Sequence, residues 1–441
     1  MKSKLVKRGF LSLIWTQFFG AANDNILKMV LVFMIVDGIW EGRLGADGGP
    51  GYANFMFTLP FILLSGYAGR FADRNSKRDV VILVKILEIP IALIALIGFW
   101  TESLWITLGA LVALACQSAF FGPAKYGMIP ELVESRDLSR ANGTINMMTN
   151  IAVIIGTLAG SKVADLYSPQ AVGDADVTTA MSWLPGTVMV IVAVAGLIAA
   201  LNLPRLNPGD KTIKYEWNPL GTYISALREM AGTPLFTVMF AWAYFYFLAG
   251  LALIVIPEYT TVLASYNVDR SEAGVLLGVM GVAIGLGCAL CGLFSGHAIR
   301  PWMVPFGGIG LAIFFALLGL VPAWLPDLPS YWRVLASPIS FFILGAGICA
   351  GFYIVPLQAL IQRLTPSHEL GRFLGTANGL SFAFLMVSAL FYEVIRPAFN
   401  SPDGTEHPDK IFLVSAVFML IGVIFFLWRI KARGFSLSKV E

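Results

Sequence analysis

Runs of about twenty apolar residues recur twelve times along this chain of 441 residues, and that recurrence restricts its fold more than any other feature. A bilayer core about 30 Å thick is crossed by roughly 20 residues of helix. The runs fall at about 10–36, 52–69, 79–99, 104–121, 138–164 and 184–203, then at about 234–257, 272–296, 302–321, 334–361, 371–395 and 410–430. Hydrophobic residues make up 57% of the chain and charged ones 13%, against about a quarter charged in soluble domains. A water-soluble fold would have nowhere to place so much apolar surface. The expected fold class is therefore an all-α membrane protein.

The first run is longer than a signal-peptide core of about 7–15 residues, and no small-x-small site closes it, so it is expected to remain as the first span. The most polar stretch, 204–233, contains NPGDKTIKYEWNP and divides the spans six and six. The expected organisation is a six-helix bundle over 1–203, a linker over 204–233 with a short surface helix near Pro219–Met230, and a second bundle over 234–441. Charge sets the orientation. With a cytoplasmic N-terminus, only Arg43, Lys162, Arg270, Arg333, Arg396 and Lys410 lie outside, Lys28 and Lys85 lie within spans, and the other lysines and arginines lie inside. By the positive-inside rule both termini are cytoplasmic.

Several readings close off other classes. Cys116, Cys288, Cys291 and Cys349 all lie in apolar stretches. The Cys288/Cys291 CxxC has no second pair and no histidine cluster, so it reads as helix packing, with no disulfide and no metal. No phosphate-binding glycine loop is present, so ATP does not drive the protein directly. None of His297, His368 and His407 has an aspartate five positions on, the spacing a membrane acyltransferase would need. No enzyme activity, cofactor or nucleic-acid partner is expected, and a monomer is.

Polar residues inside the spans carry the functional signal, because a charge at this depth costs about 2.5–3.5 kcal/mol on insertion scales. The first span reads QFFGAANDNILKMVLVF, with Asn23, Asp24 and Asn25 mid-helix and Lys28 one turn beyond Asp24. Asp24 and Lys28 could neutralise each other as a structural pair, but two flanking asparagines exceed what a pair needs and favour a ligand site. Lys85 and Glu88, three apart in the third span, read equally as a self-satisfied pair or as part of the same polar cavity. The fourth span ends in Gln117 and then GPAKYGMIPEL, a glycine- and proline-broken element bearing Lys125, Tyr126 and Glu131, suited to a moving gate, an anion contact or an ordinary loop. Glycine pairs such as Gly156/Gly160, Gly274/Gly278 and Gly347/Gly351 allow close helix contact.

Gly69-Arg70-Phe71-Ala72-Asp73-Arg74-Asn75-Ser76-Lys77-Arg78, expected as a tight loop between the second and third spans, resembles the major facilitator signature. Here glycine would end the helix and permit close approach, and Asp73 would accept from arginines and a neighbouring helix terminus, forming a gate with Gly69, Arg74 and Arg78. The second-half counterpart, Gly296-His297-Ala298-Ile299-Arg300, is degenerate. Ala141-Asn142-Gly143 recurs as Ala377-Asn378-Gly379 at the matching place in the second half, which adds to the likeness to that superfamily's two-halves layout.

Asn23-Asp24-Asn25, the GPAKYG of Gly122–Gly127 with Glu131-Leu132, the Ala141-Asn142-Gly143 repeat and Phe352-Tyr353-Ile354-Val355-Pro356-Leu357-Gln358-Ala359-Leu360 together resemble the bacterial lysophospholipid transporter family. The resemblance spans both halves. It implies a flippase of the inner membrane that moves lysophospholipids, chiefly lysophosphatidylethanolamine, from the outer to the inner leaflet by alternating access, with a cytoplasmic acyltransferase as partner. It also implies that Asp24 attracts the headgroup amine and that Lys125 belongs to the switching network; Asn142, Gln358 and Asn378 are expected among the gate residues. One departure stands out. The arginine that family carries about eight residues before the proline closing helix 7 falls at Ala249, so Lys28 or Lys85 takes the phosphate or the substrate differs. Tyr244, Phe245, Tyr246 and Phe247 could line a lateral opening for the acyl tail. The rival expectation is a proton-coupled carrier of a small soluble solute, with Asp24 or Glu88 as the protonation site.

Overall fold

A computed structural model describes residues 8–36, 49–167, 181–214, 218–263, 266, 268, 270–401, 406–432 and 434. Twelve helices long and apolar enough to cross a membrane are present among them. They are α1 (Arg8–Val36), α2 (Gly49–Arg74), α3 (Lys77–Trp100), α4 (Leu104–Leu132), α5 (Leu138–Tyr167) and α6 (Leu184–Leu201), then α7 (Pro234–Val255), α8 (Arg270–Ser295), α9 (Met303–Leu320), α10 (Pro338–Leu364), α11 (Leu370–Ile395) and α12 (Ile411–Ala432). The expected surface helix forms at Pro219–Met230. Large apolar side chains such as Leu293, Phe341 and Val394 stand exposed along the spans, as lipid solvation requires. Lys2, Lys4, Lys7, Arg43, Arg433 and Lys439, which contribute to the expected orientation, lie outside the described residues.

Three boundaries differ from expectation. The signature segment is not a loop: α2 runs through Arg74 and α3 starts at Lys77, leaving only Asn75 and Ser76 between them. Gly69 therefore sits inside a helix, where its missing side chain serves close approach and not termination. The GPAKYGMIPEL element likewise continues α4 to Leu132, with Pro123 and Pro130 carried inside the helix. Each proline forfeits one backbone rung, which neighbouring helices make tolerable in a membrane. The tenth span, expected over 334–361, starts only at Pro338. Ser337 caps it by accepting the Ser340 N–H at 3.2 Å, with proline in the first turn where no N–H is needed.

The chain forms two compact units: Met1–Val133, Ile151–Ala226 and Pro366–Gly379 in one, and Glu134–Asn150, Leu227–Thr365 and Leu380–Glu441 in the other. In the first, α3 packs on α4, α2 on α4, α1 on α6, α3 on α6 and α1 on α4. In the second, α9 packs on α10, α8 on α10, α7 on α12, α9 on α12 and α7 on α10. Each pairing recurs with six added to the helix number. The internal repeat is thus a repeat of packing among five helices of each half.

The expected glycine contacts are partly realised. Gly156 and Gly160 lie against α1 at Ala22 and Met29, and Gly347 and Gly351 against α8 at Ala283 and Gly287, while a Cβ added at Gly274 or Gly278 would meet open space. Cys288 and Cys291 are buried packing residues, Cys291 in contact with Met303, and the cysteines are free.

Candidate functional site

Polar side chains of α1, α3 and α4 converge inside the first unit. Glu88 is the hub: Oε1 accepts from Asn23 Nδ2 at 2.8 Å, and Oε2 accepts from Lys85 Nζ at 2.5 Å and Gln117 Nε2 at 3.3 Å. Lys85 and Glu88 are each 1% exposed, so this is a fully buried ion pair, stable only because several groups share the carboxylate. Room for the Lys85 ammonium comes from Gly20, where a Cβ would lie 2.5 Å from Nζ. The pair is thus both self-satisfied and part of the wider cluster.

Asp24 borders the same cluster. Its Oδ2 accepts from the Ser118 hydroxyl at 2.9 Å, and that hydroxyl also lies 3.1 Å from Gln117 Oε1. One hydroxyl has one proton, so Ser118 serves the two acceptors alternately. Lys125 is buried with its ammonium 4.2 Å from the Tyr126 ring centre and 5.5 Å from that of Phe121, within electrostatic reach of Asp24. Lys28 turns elsewhere, its Nζ 5.6 Å from the Phe57 ring centre. Among the described residues, Asp24 and Lys28 pair neither with each other nor with any other ion. The structural Asp24–Lys28 pair is therefore not formed. Asn23 Oδ1 is also buried without a hydrogen-bond partner among the described residues. Asn25 does not join the site: its amide bonds back to the Ala21 carbonyl at 2.7 Å and its Cβ packs on Gly156, because consecutive helix residues point 100° apart.

The second cluster sits at the end of the first unit that carries Asn75 and Ser76. Asp73 caps α11 from outside, its carboxylate accepting the backbone N–H groups of Gly371 at 2.6 Å and Arg372 at 2.7 Å. Those are unsatisfied first-turn donors at the positive end of a helix, a strong seat for an anion. The approach depends on Gly69, where a Cβ would fall 2.3 Å from the Gly371 carbonyl oxygen. Asn378 donates to Ser65 Oγ at 2.9 Å, a second tie between α11 and α2. Of the expected gate arginines, Arg74 Nη1 donates to the Ile213 carbonyl at 2.7 Å and Arg78 Nε to that of Leu203 at 2.9 Å, so both bond neighbouring chain. Glu131 accepts from Lys77 Nζ at 2.7 Å, joining the end of α4 to the start of α3.

The linker docks on the same corner. Lys211 Nζ donates to Asn75 Oδ1 at 2.7 Å and the Asp210 N–H to the Asp73 carbonyl at 3.0 Å. Bonds from the Thr212 hydroxyl and N–H hold the Asp210 carboxyl below the usual range. Tyr223 of the surface helix donates to the Ile62 carbonyl at 2.7 Å and accepts the Gly66 N–H at 3.2 Å, so its hydroxyl touches both ends of one rung of α2.

The second unit holds a matching tie. Asn142 Nδ2 donates to Gln362 Oε1 at 2.6 Å and Asn146 Nδ2 to Gln358 Oε1 at 2.8 Å, lacing α5 to α10. The degenerate signature copy reverses its chemistry, since His297 Nδ1 lies 2.9 Å from Oδ1 of the buried Asp137, which precedes α5. Tyr244 and Phe247 are packing residues, Tyr244 donating to the Phe418 carbonyl at 2.8 Å and Phe247 packed on Phe391 and Phe418. Phe245 stacks on Tyr353, and Tyr246 tilts against Trp242. Position 249 offers no cation, and the adjoining Gly250 packs on Ser388.

Sequence reasoning missed Ser65, Ser118, Asn146, Tyr223 and Gln362. Each is an uncharged polar side chain with a partner on another helix, and nothing in the local sequence marks that partner.

Repeated helix packing, buried charge across three spans and helix-end ties between the sequence halves define a multi-pass membrane transporter. The family model of the Major Facilitator Superfamily matches residues 10–391, and the chain belongs to that superfamily. It is 25% identical to the lysophospholipid transporter LplT of Yersinia enterocolitica over 410 residues, covering 89% of this chain and 88% of the relative. It is also 25% identical to LplT of Serratia proteamaculans over 412 residues, covering 89% and 90%. The likeness to lysophospholipid transporters read from the motifs therefore extends along nearly the whole chain. In fold it is similar to the human organic anion transporter MFSD10, with a TM-score of 0.72 at 12% identity over 95% of this chain and 99% of that one. The transporter FucP in its outward conformation gives a TM-score of 0.69 at 11% identity over 95% and 98%.

Proposed function

We propose that this protein flips lysophospholipids, with lysophosphatidylethanolamine the preferred substrate, from the outer to the inner leaflet of a bacterial inner membrane. One observation carries the reading. Asp24 and Lys28 present opposite charges one helical turn apart on α1, about 6 Å of axial rise, and neither has an ion partner among the described residues. A zwitterionic headgroup supplies the complement: its ammonium meets Asp24 and its phosphate meets Lys28. Lys85 is committed to Glu88, so Lys28 is the better cation for the phosphate. The acyl tail stays in hydrocarbon throughout and needs no polar accommodation.

The remaining roles follow from chemistry. Asn23 and Lys125 extend the amine and phosphate contacts, and the Lys85–Glu88–Gln117 hub keeps the α1 segment oriented. The Asp73 cap on α11 and the Asn142–Gln362 and Asn146–Gln358 ties act as the cytoplasmic gate, which breaks when the six-helix halves rock. Both termini and the linker are cytoplasmic in this reading, and an acyltransferase re-acylates the delivered lipid. The test is movement of fluorescent lysophosphatidylethanolamine between leaflets in proteoliposomes. Uptake of a soluble solute with no lysolipid movement would instead support the proton-coupled carrier.

A further inference from the structure

Beside the polar cluster, a groove of about 550 Å³ runs along the outer face of the first unit between α1 and α6. Its walls are Leu11, Trp15 and Phe19 on α1 and Ala195, Ile198 and Ala199 on α6. Leu11, Trp15 and Ile198 are 42%, 47% and 58% exposed, so the groove opens toward the acyl chains of the bilayer. Its polar end is closed by Arg8, whose Nη2 donates to Asn202 Oδ1 at 2.9 Å.

A second guanidinium reaches that end, and a third arginine follows close in the chain. Arg78 Nε donates to the carbonyl of Leu203, next to Asn202. Arg205 is exposed and follows Pro204, which packs directly on Gly9, where a Cβ would lie 2.8 Å from the proline ring. Asp79, beside Arg78 at 3.3 Å, is the acid paired there. Arg8 at the mouth, with the Arg78–Asp79 pair beside it neutral as a pair, leaves the mouth of an apolar groove net positive. Basic pockets between spans on the cytoplasmic side are seats for anionic headgroups.

We propose that the α1–α6 groove is a resident site for an inner-leaflet anionic phospholipid, with one acyl chain along Trp15 and Ile198 and the phosphate against Arg8. Arg8 has donors beyond the one given to Asn202, and that bond holds its planar fork over the mouth. The site is separate from Asp24 and Lys28 and takes a diacyl lipid that stays bound, whatever molecule the protein carries.

Native mass spectrometry of the full chain in mild detergent, titrated with diacyl phosphatidylglycerol or phosphatidylethanolamine, tests this. One phosphatidylglycerol is expected to be retained about fivefold more tightly than phosphatidylethanolamine, the preference worth roughly one interfacial basic residue. Arg8→Ala should abolish the preference, Arg8→Lys should keep most of it, and Ala195→Phe, which fills the groove, should remove the retained lipid. Asp24→Asn should leave retention unchanged. Equal retention of the two lipids by the unaltered protein, or an unchanged preference in Arg8→Ala, overturns the proposal.

Discussion

Asp73 accepts the backbone N–H of Gly371 at 2.6 Å across 298 residues of sequence, placing a carboxylate of α2 on the unsatisfied N-terminal turn of α11. With the Arg372 N–H beside it, both carboxylate oxygens are engaged. Asp73→Asn keeps the shape but removes the charge and leaves one good acceptor. A charged cap at a helix N-terminus is worth about 1–2 kcal/mol, so the tie should open roughly tenfold more often. In a background without native cysteines, a cysteine placed at Asn378 should react with a membrane-permeant thiol reagent about tenfold faster.

Gly69→Val tests the same tie by shape. A Cβ at Gly69 meets the Gly371 carbonyl oxygen at 2.3 Å, and backbone cannot yield as a side-chain tip can. The variant should be labelled at position 378 at least as fast as Asp73→Asn, and combining the two should add little, because both break one contact.

Tyr223→Phe removes the hydroxyl that meets the Ile62 carbonyl and the Gly66 N–H while leaving the ring in place. The expected cost is about 1 kcal/mol, one net hydrogen bond. A lower Tm in detergent together with faster labelling at position 378 would show that the linker helix supports the tie. A lower Tm alone would confine Tyr223 to stability.

Lys85 and Glu88 should behave as a unit. Removing one partner of a buried ion pair leaves an uncompensated charge, costing about 3–5 kcal/mol, whereas apolar or neutral replacement of both is near neutral. Lys85→Met should therefore be much less stable than the double variant Lys85→Met/Glu88→Gln by thermal unfolding. Gly20→Ala, which pushes a methyl to 2.5 Å from Lys85 Nζ, should fall between them.

The sequence made the spans, the linker helix at Pro219–Met230 and the charged residues of the site readable, because each rests on local composition or on the cost of charge in lipid. The use of those residues was less readable. Of the two uses read for Gly69, helix end and close approach, only the approach is realised, and Arg74 and Arg78 bond the linker and the chain just after α6. Asp24 and Lys28, one turn apart, read either as a structural pair or as part of a ligand site, and Ser118 and Phe57 draw them to different neighbours. Side-chain partnership depends on which helices meet, and that is set by packing over hundreds of residues of separation.

The most direct test of the account is the leaflet-to-leaflet rate of fluorescent lysophosphatidylethanolamine in proteoliposomes carrying the unaltered protein, Asp24→Asn or Lys28→Ala. Transport by the unaltered protein is expected, with a loss of about tenfold or more in each variant, the scale of one buried charged contact to a ligand. Rates unchanged by both substitutions, or no lysolipid movement by the unaltered protein, would contradict it.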